Sequence, residues 1–257
     1  MDGSAPASHS LPPRAIAGRG TTEEGWSKEP HVARLRSGDV AAWAKRYHRI
    51  WLISPHPDDE VLGLGACMVQ LSALHADLRI VSVTDGAASH KNSKRWTADR
   101  LALARPAELR RALETLKVDA EVLQVGLPDG HIDAYQDELV AFLIARVTEK
   151  DLILTTWRFD GHPDHETCGH AAALAARRTG ATLGEYPVWM WHWAATTEPL
   201  IPWARAYRLP VDAGEMARKR EAIKQFVSQV TPDARREAVL PPHVIARFTR
   251  PYELVFI

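Results

Sequence analysis

Two short polar stretches of the chain contain the residue types that hydrolytic metal sites use. The first is PHPDDE at residues 55–60, and the second is GHPDHE at 161–166. His56 and Asp59 are three residues apart, so at the start of a helix their side chains face the same way, and the second stretch repeats this spacing with two histidines. A catalytic zinc takes three such protein ligands and keeps one position open for water. The two stretches therefore predict a metal-dependent hydrolase whose ligands are His56, Asp59 and a histidine of the second stretch.

The other polar side chains of these stretches suit the remaining steps of a hydrolysis. A bound divalent cation lowers the pKa of a water molecule towards ~7 and polarises a carbonyl oxygen. Asp58 is next to a predicted ligand but points elsewhere, so it is a candidate general base. The histidine that does not bind the metal is expected to stabilise an oxyanion or to protonate the leaving amine, with Asp164 orienting it.

A purely structural interpretation of each stretch is helix capping. A His-Pro-Asp tripeptide at the start of a helix can serve only to satisfy free backbone N–H groups. Two such tripeptides, each directly after a predicted strand, are much harder to explain as caps. The pair therefore favours a functional site over capping.

The elements around these stretches alternate between strand and helix. Buried strands are predicted from short apolar runs at 49–54, 78–86, 120–126 and 151–157. Helices are predicted at 60–76, 100–116 (with Pro106 either inside it or, as favoured, starting its second part), 135–148 and 165–180, the last with Gly180 as its C-cap. This alternation predicts an α/β fold of three layers, a mostly parallel sheet with helices on both faces. Both polar stretches then lie beyond the carboxyl ends of strands, where such sheets bind ligands.

The composition excludes several other classes of protein. The 257 residues are 46% apolar and 25% charged, as in an ordinary globular domain. The formal net charge is +0, without the basic excess of a nucleic-acid-binding protein. No apolar run reaches the ~18 residues of a membrane span, and the N-terminus lacks the apolar region of a secretory signal. We therefore expect a cytoplasmic enzyme with no membrane span and no nucleic-acid partner.

The domain organisation is predicted to be simple. Residues 1–35 are rich in Gly, Ser, Pro and charge, and are expected to form a flexible N-terminal tail whose one large anchor, Trp26, can dock on the domain. Residues 36–257 are expected to form a single catalytic domain. In PVWMWHWA (187–194) three tryptophans alternate, so on a strand Trp189, Trp191 and Trp193 would share one face. Packing or a subunit contact is favoured there over a sugar platform, which leaves a homo-oligomer open.

The order of these motifs resembles a known family. PHPDDE followed by a distant HPDH is similar to the LmbE-like or PIG-L family of zinc-dependent N-acetylglucosaminyl deacetylases. Further landmarks follow in the family's order, namely VTDG (83–86), the Arg105-Pro-Ala-Glu108 helix segment and LPDG (127–130). The resemblance implies a Rossmann-like fold and removal of an N-acetyl group from a small molecule or conjugate that contains N-acetylglucosamine.

The resemblance also implies roles for individual residues. One zinc ion per chain would be held by His56, Asp59 and His165. Among the remaining residues, Asp58 would be the base, His162 would polarise or protonate the intermediate, and Asp164 would lie behind His162. Arg105 and Asp129 fall where family members contact the substrate.

Three other interpretations are compatible with parts of this pattern. The same site could cleave a non-sugar amide or the amide of a thiol conjugate. His56-x-Asp58 with a distant histidine also matches the facial triad of iron oxygenases, but those sites occur in β-rich barrels. A non-catalytic binding protein would be expected to have lost a ligand, and neither motif has done so.

Overall fold

The computed structural model describes residues 14, 16, 18–234 and 236–257, which form one eight-stranded sheet with helices on both faces. The strands are β1 (Arg36–Ser37), β2 (Ile50–Ser54), β3 (Leu78–Ser82), β4 (Glu121–Gln124), β5 (Leu152–Thr156), β6 (Thr182–Tyr186), β7 (Ala206–Pro210) and β8 (Tyr252–Phe256). Their order in the sheet is β1-β7-β8-β6-β5-β2-β3-β4. Only β8 runs antiparallel to its neighbours among the described strands. The predicted α/β class with a mostly parallel sheet is confirmed.

The helices of the described residues differ widely in length. They are α1 (Glu23–Ser27), α2 (Pro30–Ala33), α3 (Val40–Arg46), α4 (Asp59–Ala73), α5 (Ala98–Leu116), α6 (Gln136–Ile144), α7 (Pro163–Thr179), α8 (Met190–Trp193), α9 (Ala213–Ile223), α10 (Val227–Val230) and α11 (Pro242–Ile245). Short 3₁₀ turns lie at Ile132–Tyr135, Trp203–Arg205 and Ala246–Phe248. Helix α7 ends where predicted, because Gly180 adopts the left-handed conformation (φ 80°) that a C-cap favours.

Two apolar clusters cover the two faces of the sheet. One includes Leu64 and Met68 of α4, Leu109 of α5 and Phe226, packed under the strands. The other lies between the sheet and helices α6 and α7; Leu139, Leu143, Ala171 and Ala175 are among its fully buried members. Small side chains on α7 let that helix approach the sheet closely, which fits its alanine-rich sequence.

The strands that precede the two polar stretches lie side by side at the centre of the sheet. β2 pairs with β5 in parallel, and all five residues of each strand are buried. From β2 the chain proceeds to β3 on one side, whereas β5 and β6 lie on the other. This reversal makes a topological switch point at the carboxyl ends of β2 and β5, where α/β sheets bind their ligands.

Two local predictions about the helical elements are wrong. Helix α5 runs without a break through Pro106, which is buried, so tertiary packing outweighs the backbone hydrogen bond that proline removes. The tryptophan-rich segment is the helical turn α8 and not a strand. Trp191 is therefore buried, whereas Trp189 and Trp193 are half-buried, and the three side chains do not share one face.

The expected flexible tail is wrong for residues 18–35. Helix α1 lies there, and Trp26 is fully buried in the main apolar cluster with its indole Nε1–H donating to Trp191 O at 2.9 Å. The backbone of Thr21 donates to His192 O at 2.9 Å. One bulky anchor with these partners is enough to dock a segment of otherwise polar composition. Residues 1–13 lie outside the described residues.

Candidate metal centre

The first polar stretch forms a tight loop between β2 and α4. β2 ends at Ser54, whose hydroxyl donates to His56 O at 2.7 Å. Asp58 occupies the N-cap position of α4, but its carboxylate makes no capping hydrogen bond. The capping interpretation therefore does not account for Asp58, whose side chain is left for another task.

The second polar stretch enters α7 in a different manner. His162 is the N-cap residue, and its Nδ1 accepts the backbone N–H of Asp164 at 3.2 Å. His165 lies one turn into the helix and is fully buried. The two stretches meet at the switch point, where the rings of His56 and His165 have centroids 5.3 Å apart.

Three donor atoms from the two stretches form a nearly equilateral triangle. His56 Nδ1 lies 3.2 Å from Asp59 Oδ2, which in turn lies 3.2 Å from His165 Nε2. The third side, between His165 Nε2 and His56 Nδ1, is 3.3 Å. Ligand atoms about 2.0–2.2 Å from a tetrahedral centre lie about 3.3–3.6 Å apart. The triangle therefore fits one face of the coordination shell of a small divalent cation.

His56 also belongs to two looser groups of donor atoms. One combines His56 with His162 and His165, and the other with Asp129 and Asp164, with all donor atoms in each group within 4.8 Å. We prefer the triangle with Asp59 because its three sides are nearly equal and match the spacing of donor atoms around a tetrahedral centre. His162 then remains beside the metal position, with its ring centroid 4.9 Å from that of His56.

Asp58 is buried, and its carboxyl holds its proton more strongly than a carboxyl exposed to water does. Burial raises the pKa of its carboxyl to about 6, against the opposing field of Arg105. The Arg105 guanidinium holds this carboxyl through an ion pair of 3.0 Å between Nη2 and Oδ1. A carboxylate with a pKa near neutrality is suited to accept a proton from water and return it later.

His162 is held as a neutral imidazole. Burial, together with the neighbouring rings of His165 and His56, lowers its pKa to about 3. Since Nδ1 accepts a backbone N–H, the ring proton is assigned to Nε2. His162 can therefore donate a hydrogen bond from Nε2 to an oxygen that gains negative charge.

Comparisons with known proteins match this chain to one family. The sequence profile of PIG-L, described as GlcNAc-PI de-N-acetylase, matches residues 51–176, which include both polar stretches. Residues 51–176 therefore form a PIG-L domain. The helix containing Arg105 and the loop containing Asp129 also fall inside the matched range.

Several bacterial PIG-L relatives carry the same description, 1D-myo-inositol 2-acetamido-2-deoxy-alpha-D-glucopyranoside deacetylase. The protein of Mycobacterium avium is 32% identical over 143 residues, or 46% of this chain and 47% of the relative. That of Rhodococcus erythropolis is 27% identical over 206 residues, or 69% of this chain and 66% of the relative. In the first of these matches the chain spans about half the length of the relative.

Solved structures of PIG-L-like deacetylases share the fold. N,N'-diacetylchitobiose deacetylase from Pyrococcus horikoshii has a TM-score of 0.58 at 21% identity, covering 83% of this chain and 81% of its own. A deacetylase of the teicoplanin biosynthesis pathway also has a TM-score of 0.58 at 21% identity, covering 81% of this chain and 96% of its own. At this identity the likeness concerns the fold alone.

Two carboxylates predicted from the PIG-L resemblance lie on the far side of His56. Asp164 Oδ2 and Asp129 Oδ1 each lie 3.1 Å from His56 Nε2. The Asp164 carboxylate also accepts the backbone N–H groups of Gly130 and Ile132 at 2.7 and 3.3 Å. Asp164 therefore orients His56 through its carboxylate, whereas its hydrogen bond to His162 comes from the backbone N–H; the carboxylate acts on the His162 ring through its charge.

Arg105, which is predicted to contact the substrate, makes several contacts within the protein. It is buried, and besides Asp58 its guanidinium donates to Gly86 O at 3.0 Å and Pro57 O at 3.3 Å. Asp129 is tied to the loop after β3, because its Oδ2 accepts the Ala88 N–H at 2.7 Å. Both residues thus support the PIG-L site from within the protein, and their contact with a substrate remains a prediction.

Glu60 reduces the negative charge that would otherwise collect at this PIG-L site. It is fully buried, and burial raises the pKa of its carboxyl to about 8, so the side chain is neutral at pH 7. It hydrogen bonds to Ser54, which positions the His56 carbonyl. The site therefore holds Asp58 and Asp59 without a third charged carboxylate next to them in sequence.

Asp160 is a supporting residue that the sequence did not reveal. Its Oδ2 lies 2.8 Å from His165 Nδ1, which leaves His165 Nε2 for the metal position. The same carboxylate accepts the backbone N–H groups of Val188, Trp189 and Met190 at 2.9–3.0 Å. Asp160 falls in the Arg-Phe-Asp linker before GHPDHE, so its position before a ligand stretch was the only available signal. The Asp160 carboxylate therefore fixes the ring of His165, a predicted ligand, and binds the backbone at the start of α8.

We expect Asp160→Asn to weaken metal binding by about 10–100-fold, as loss of a carboxylate behind a ligand histidine generally does. Isothermal titration of the metal-free chain with Zn²⁺ measures the effect. Asp137→Asn on the outside of α6 is the matched control, since it makes the same chemical change away from the site. An unchanged Zn²⁺ affinity in Asp160→Asn would show that His165 needs no such support.

We expect Arg105→Met to move the acidic limb of kcat/KM to higher pH. Removing the guanidinium takes away a positive charge that lowers the pKa of Asp58, so the carboxyl stays protonated over a wider range. Arg105→Lys retains the charge and should restore part of the shift. The pH profile of kcat/KM for the three proteins tests this, and an unmoved limb in Arg105→Met would separate the limb from Asp58.

Proposed function

We propose that this chain is a metal-dependent N-deacetylase that hydrolyses the acetamido group of an N-acetylglucosamine-containing small molecule or conjugate. The observation that carries the proposal is the triangle of His56, Asp59 and His165 donor atoms, with sides of 3.2, 3.2 and 3.3 Å, flanked by Asp58 and His162. The names of the PIG-L relatives support the amino-sugar part, since they describe deacetylation of a 2-acetamido sugar joined to inositol.

One zinc ion per chain would suit this site. Two imidazoles and one carboxylate are a common donor set for catalytic zinc, and the spacing of the three atoms matches a tetrahedral shell with one open corner. When bound, the ion would polarise the scissile carbonyl and acidify water at the open corner. The chain's own side chains carry out the proton transfers.

Asp58 supplies the base of the proposed reaction. Its carboxylate takes a proton from the attacking water as the new C–O bond forms at the amide carbon. Because the pKa of its carboxyl is raised to about 6, Asp58 can then return this proton to the amine nitrogen as the C–N bond breaks. The products are acetic acid, which keeps the second proton of the water and ionises to acetate in solution, and a free amine, and Asp58 ends the cycle as a carboxylate.

His162 stabilises the charge that forms between these two steps. The carbonyl oxygen becomes an oxyanion when water adds, and the Nε2–H of His162 donates a hydrogen bond to it. A neutral donor needs no proton uptake from solvent, which suits a ring whose pKa lies at about 3. Asp58 and His162 thus handle the proton and the oxyanion respectively.

Acetate release from a panel of amides tests the proposal. The panel contains N-acetylglucosaminyl-inositol, N,N'-diacetylchitobiose and an N-acetylated thiol conjugate, each with the zinc-loaded chain and with the chain treated with chelator. We expect chelator-sensitive acetate release from at least one of the two sugar substrates. Faster release from the thiol conjugate than from both sugars would replace the amino-sugar assignment with the amidase alternative.

The location, substrate size and oligomeric state of the chain are the remaining parts of the proposal. Among the described residues no helix combines the length and apolar character needed to cross a bilayer. The cytoplasmic location and a small-molecule substrate remain part of the proposal, as does an oligomeric state that size-exclusion chromatography with light scattering would measure.

A further inference from the structure

A small cavity away from the metal centre is lined by three cationic side chains. It lies between α4, α9 and the segment that leads into β8, and Lys219, Arg247 and Arg250 contribute to its wall. Leu62, Trp191 and Phe248 are among its apolar neighbours. The cavity volume is about 10 Å³. This is enough for about one water molecule or one monatomic ion.

The cations around this cavity have more hydrogen-bond donors than the protein satisfies. Lys219 Nζ donates to Leu62 O at 2.8 Å and to Glu253 Oε1 at 2.6 Å, which leaves one of its three protons. Arg247 is 3% exposed, and its Nε has no partner among the described residues. Nη1 of Arg250 has no hydrogen-bond partner among these residues either. Buried donors without acceptors are rare because they lose their hydrogen bonds to water, so an acceptor is expected here.

The charges around the cavity do not cancel. Lys219 pairs with Glu253, and Arg250 pairs with Glu23 through contacts of 2.9 and 2.6 Å. Arg247 pairs with no carboxylate among the described residues, since its partners are His192 Nδ1 and the backbone oxygens of the N-terminal segment. One positive charge is therefore left over.

The neutral groups next to these cations do not remove this charge. His192 Nδ1 must accept from the guanidinium of Arg247, so this contact gives no negative charge. The Tyr252 hydroxyl lies beside Arg250, and burial raises the pKa of this group, so it too remains neutral. A water molecule would satisfy donors but leave the charge, whereas an anion does both.

We propose that this cavity is a binding site for a monatomic anion, with chloride as the ion available in cells. Arg247 Nε, Arg250 Nη1 and the spare proton of Lys219 are its ligands. The small volume excludes phosphate and carboxylates, which need several times more space. The site is separate from the proposed deacetylase chemistry and does not depend on it.

The bound anion would join parts of the chain that are distant in sequence. Leu62 and Gly63 border the cavity at the end of the first segment of α4, directly before Leu64, where the helix backbone breaks (φ −136°, ψ 26°). That first segment begins with Asp59. Arg250 extends the connection to Glu23 of α1, and Arg247 to the backbone of Arg19 and Thr21. Anion binding should therefore stabilise the docked N-terminal segment.

Two measurements on the full zinc-loaded chain test the site. The first is thermal unfolding in sodium chloride, bromide and gluconate at equal ionic strength, where we expect a saturable rise in Tm of about 2–4 °C for the halides over gluconate. The second is a crystal grown in sodium bromide, where we expect an anomalous peak within hydrogen-bond distance of Arg247 Nε. Equal Tm values in all three salts together with no anomalous peak in the cavity would overturn the proposal.

A pair of variants connects the salt effect to this cavity. Arg250→Gln removes one of the three proposed ligands and one positive charge beside the cavity, and we expect the halide-dependent rise in Tm to disappear. Arg111→Gln on the exposed side of α5 makes the same chemical change away from the cavity and should keep the rise. A rise that survives in Arg250→Gln would place the halide effect outside the cavity and contradict the proposal. If Arg250→Gln does not fold, the bromide crystal of the unmodified chain decides the matter.

Discussion

Asp58→Asn should reduce kcat for acetate release by about 10²–10⁴-fold while the chain still binds one zinc ion. The amide cannot accept a proton from water, yet it has the size of the carboxyl that it replaces. Asp58 is not one of the three atoms of the donor triangle, so the metal position is left intact. Steady-state kinetics combined with metal analysis of the same preparation measure both parts of the expectation.

Two comparisons make the Asp58→Asn result specific. Asp59→Asn removes a predicted ligand and should lose zinc as well as activity, whereas Asp58→Asn should lose activity alone. Arg105 faces Asp58, so the thermal stability of each variant is measured to exclude a general effect on folding. Turnover at the rate of the unmodified chain with zinc bound would remove Asp58 from the mechanism and leave the proton acceptor unidentified.

His162→Ala should lower kcat by about 10²–10³-fold, the loss that follows removal of one donor to an oxyanion. KM should change little, because the hydrogen bond strengthens only when the carbonyl oxygen becomes charged. The ring is not needed for the donor triangle, so zinc affinity should be retained. Kinetics of kcat and KM, with Zn²⁺ titration alongside, distinguish this outcome from metal loss.

The matched control for His162 is a second histidine on the same helix. His170→Ala changes an exposed residue five positions after His165, and it should leave kcat unaltered. His162→Gln keeps a side-chain donor of similar length and should recover part of the activity. If His162→Ala instead lost zinc and retained turnover when zinc was added in excess, His162 would be a ligand, as one of the looser donor groups would have it.

The fold could be predicted because its signals are local and repeated. Apolar runs such as those of β2 and β5 alternate with amphipathic segments of helical length, and parallel sheets follow from this alternation. The place of the site followed in turn, since both polar stretches come directly after central strands. The strand-like pattern of the tryptophan-rich segment was misleading because the conformation of this segment is set by the Asp160 carboxylate, which lies some thirty residues away along the chain.

The sequence was enough to predict the proposed metal ligands, but not the contacts of the residues that support them. His56 and Asp59 lie in the first short motif and His165 in the second, so residue spacing and family resemblance together were enough to predict them as ligands. The partner of Asp164 depends on which ring its carboxylate reaches in three dimensions, and it reaches that of His56. Arg105 was likewise placed by motif alone, and only the folded chain shows its guanidinium turned onto Asp58.

The burial of Trp26 has a consequence for where the chain can be shortened. A cut at residue 35, which composition alone would suggest, removes an indole that is fully buried between Trp191 and the rest of the core. Loss of a large aromatic side chain from a core costs about 3–5 kcal/mol, a large fraction of the stability of a typical domain. The same cut takes away Glu23, the carboxylate partner of Arg250. A cut at residue 35 should therefore destabilise the chain strongly, because its folded unit begins well ahead of β1.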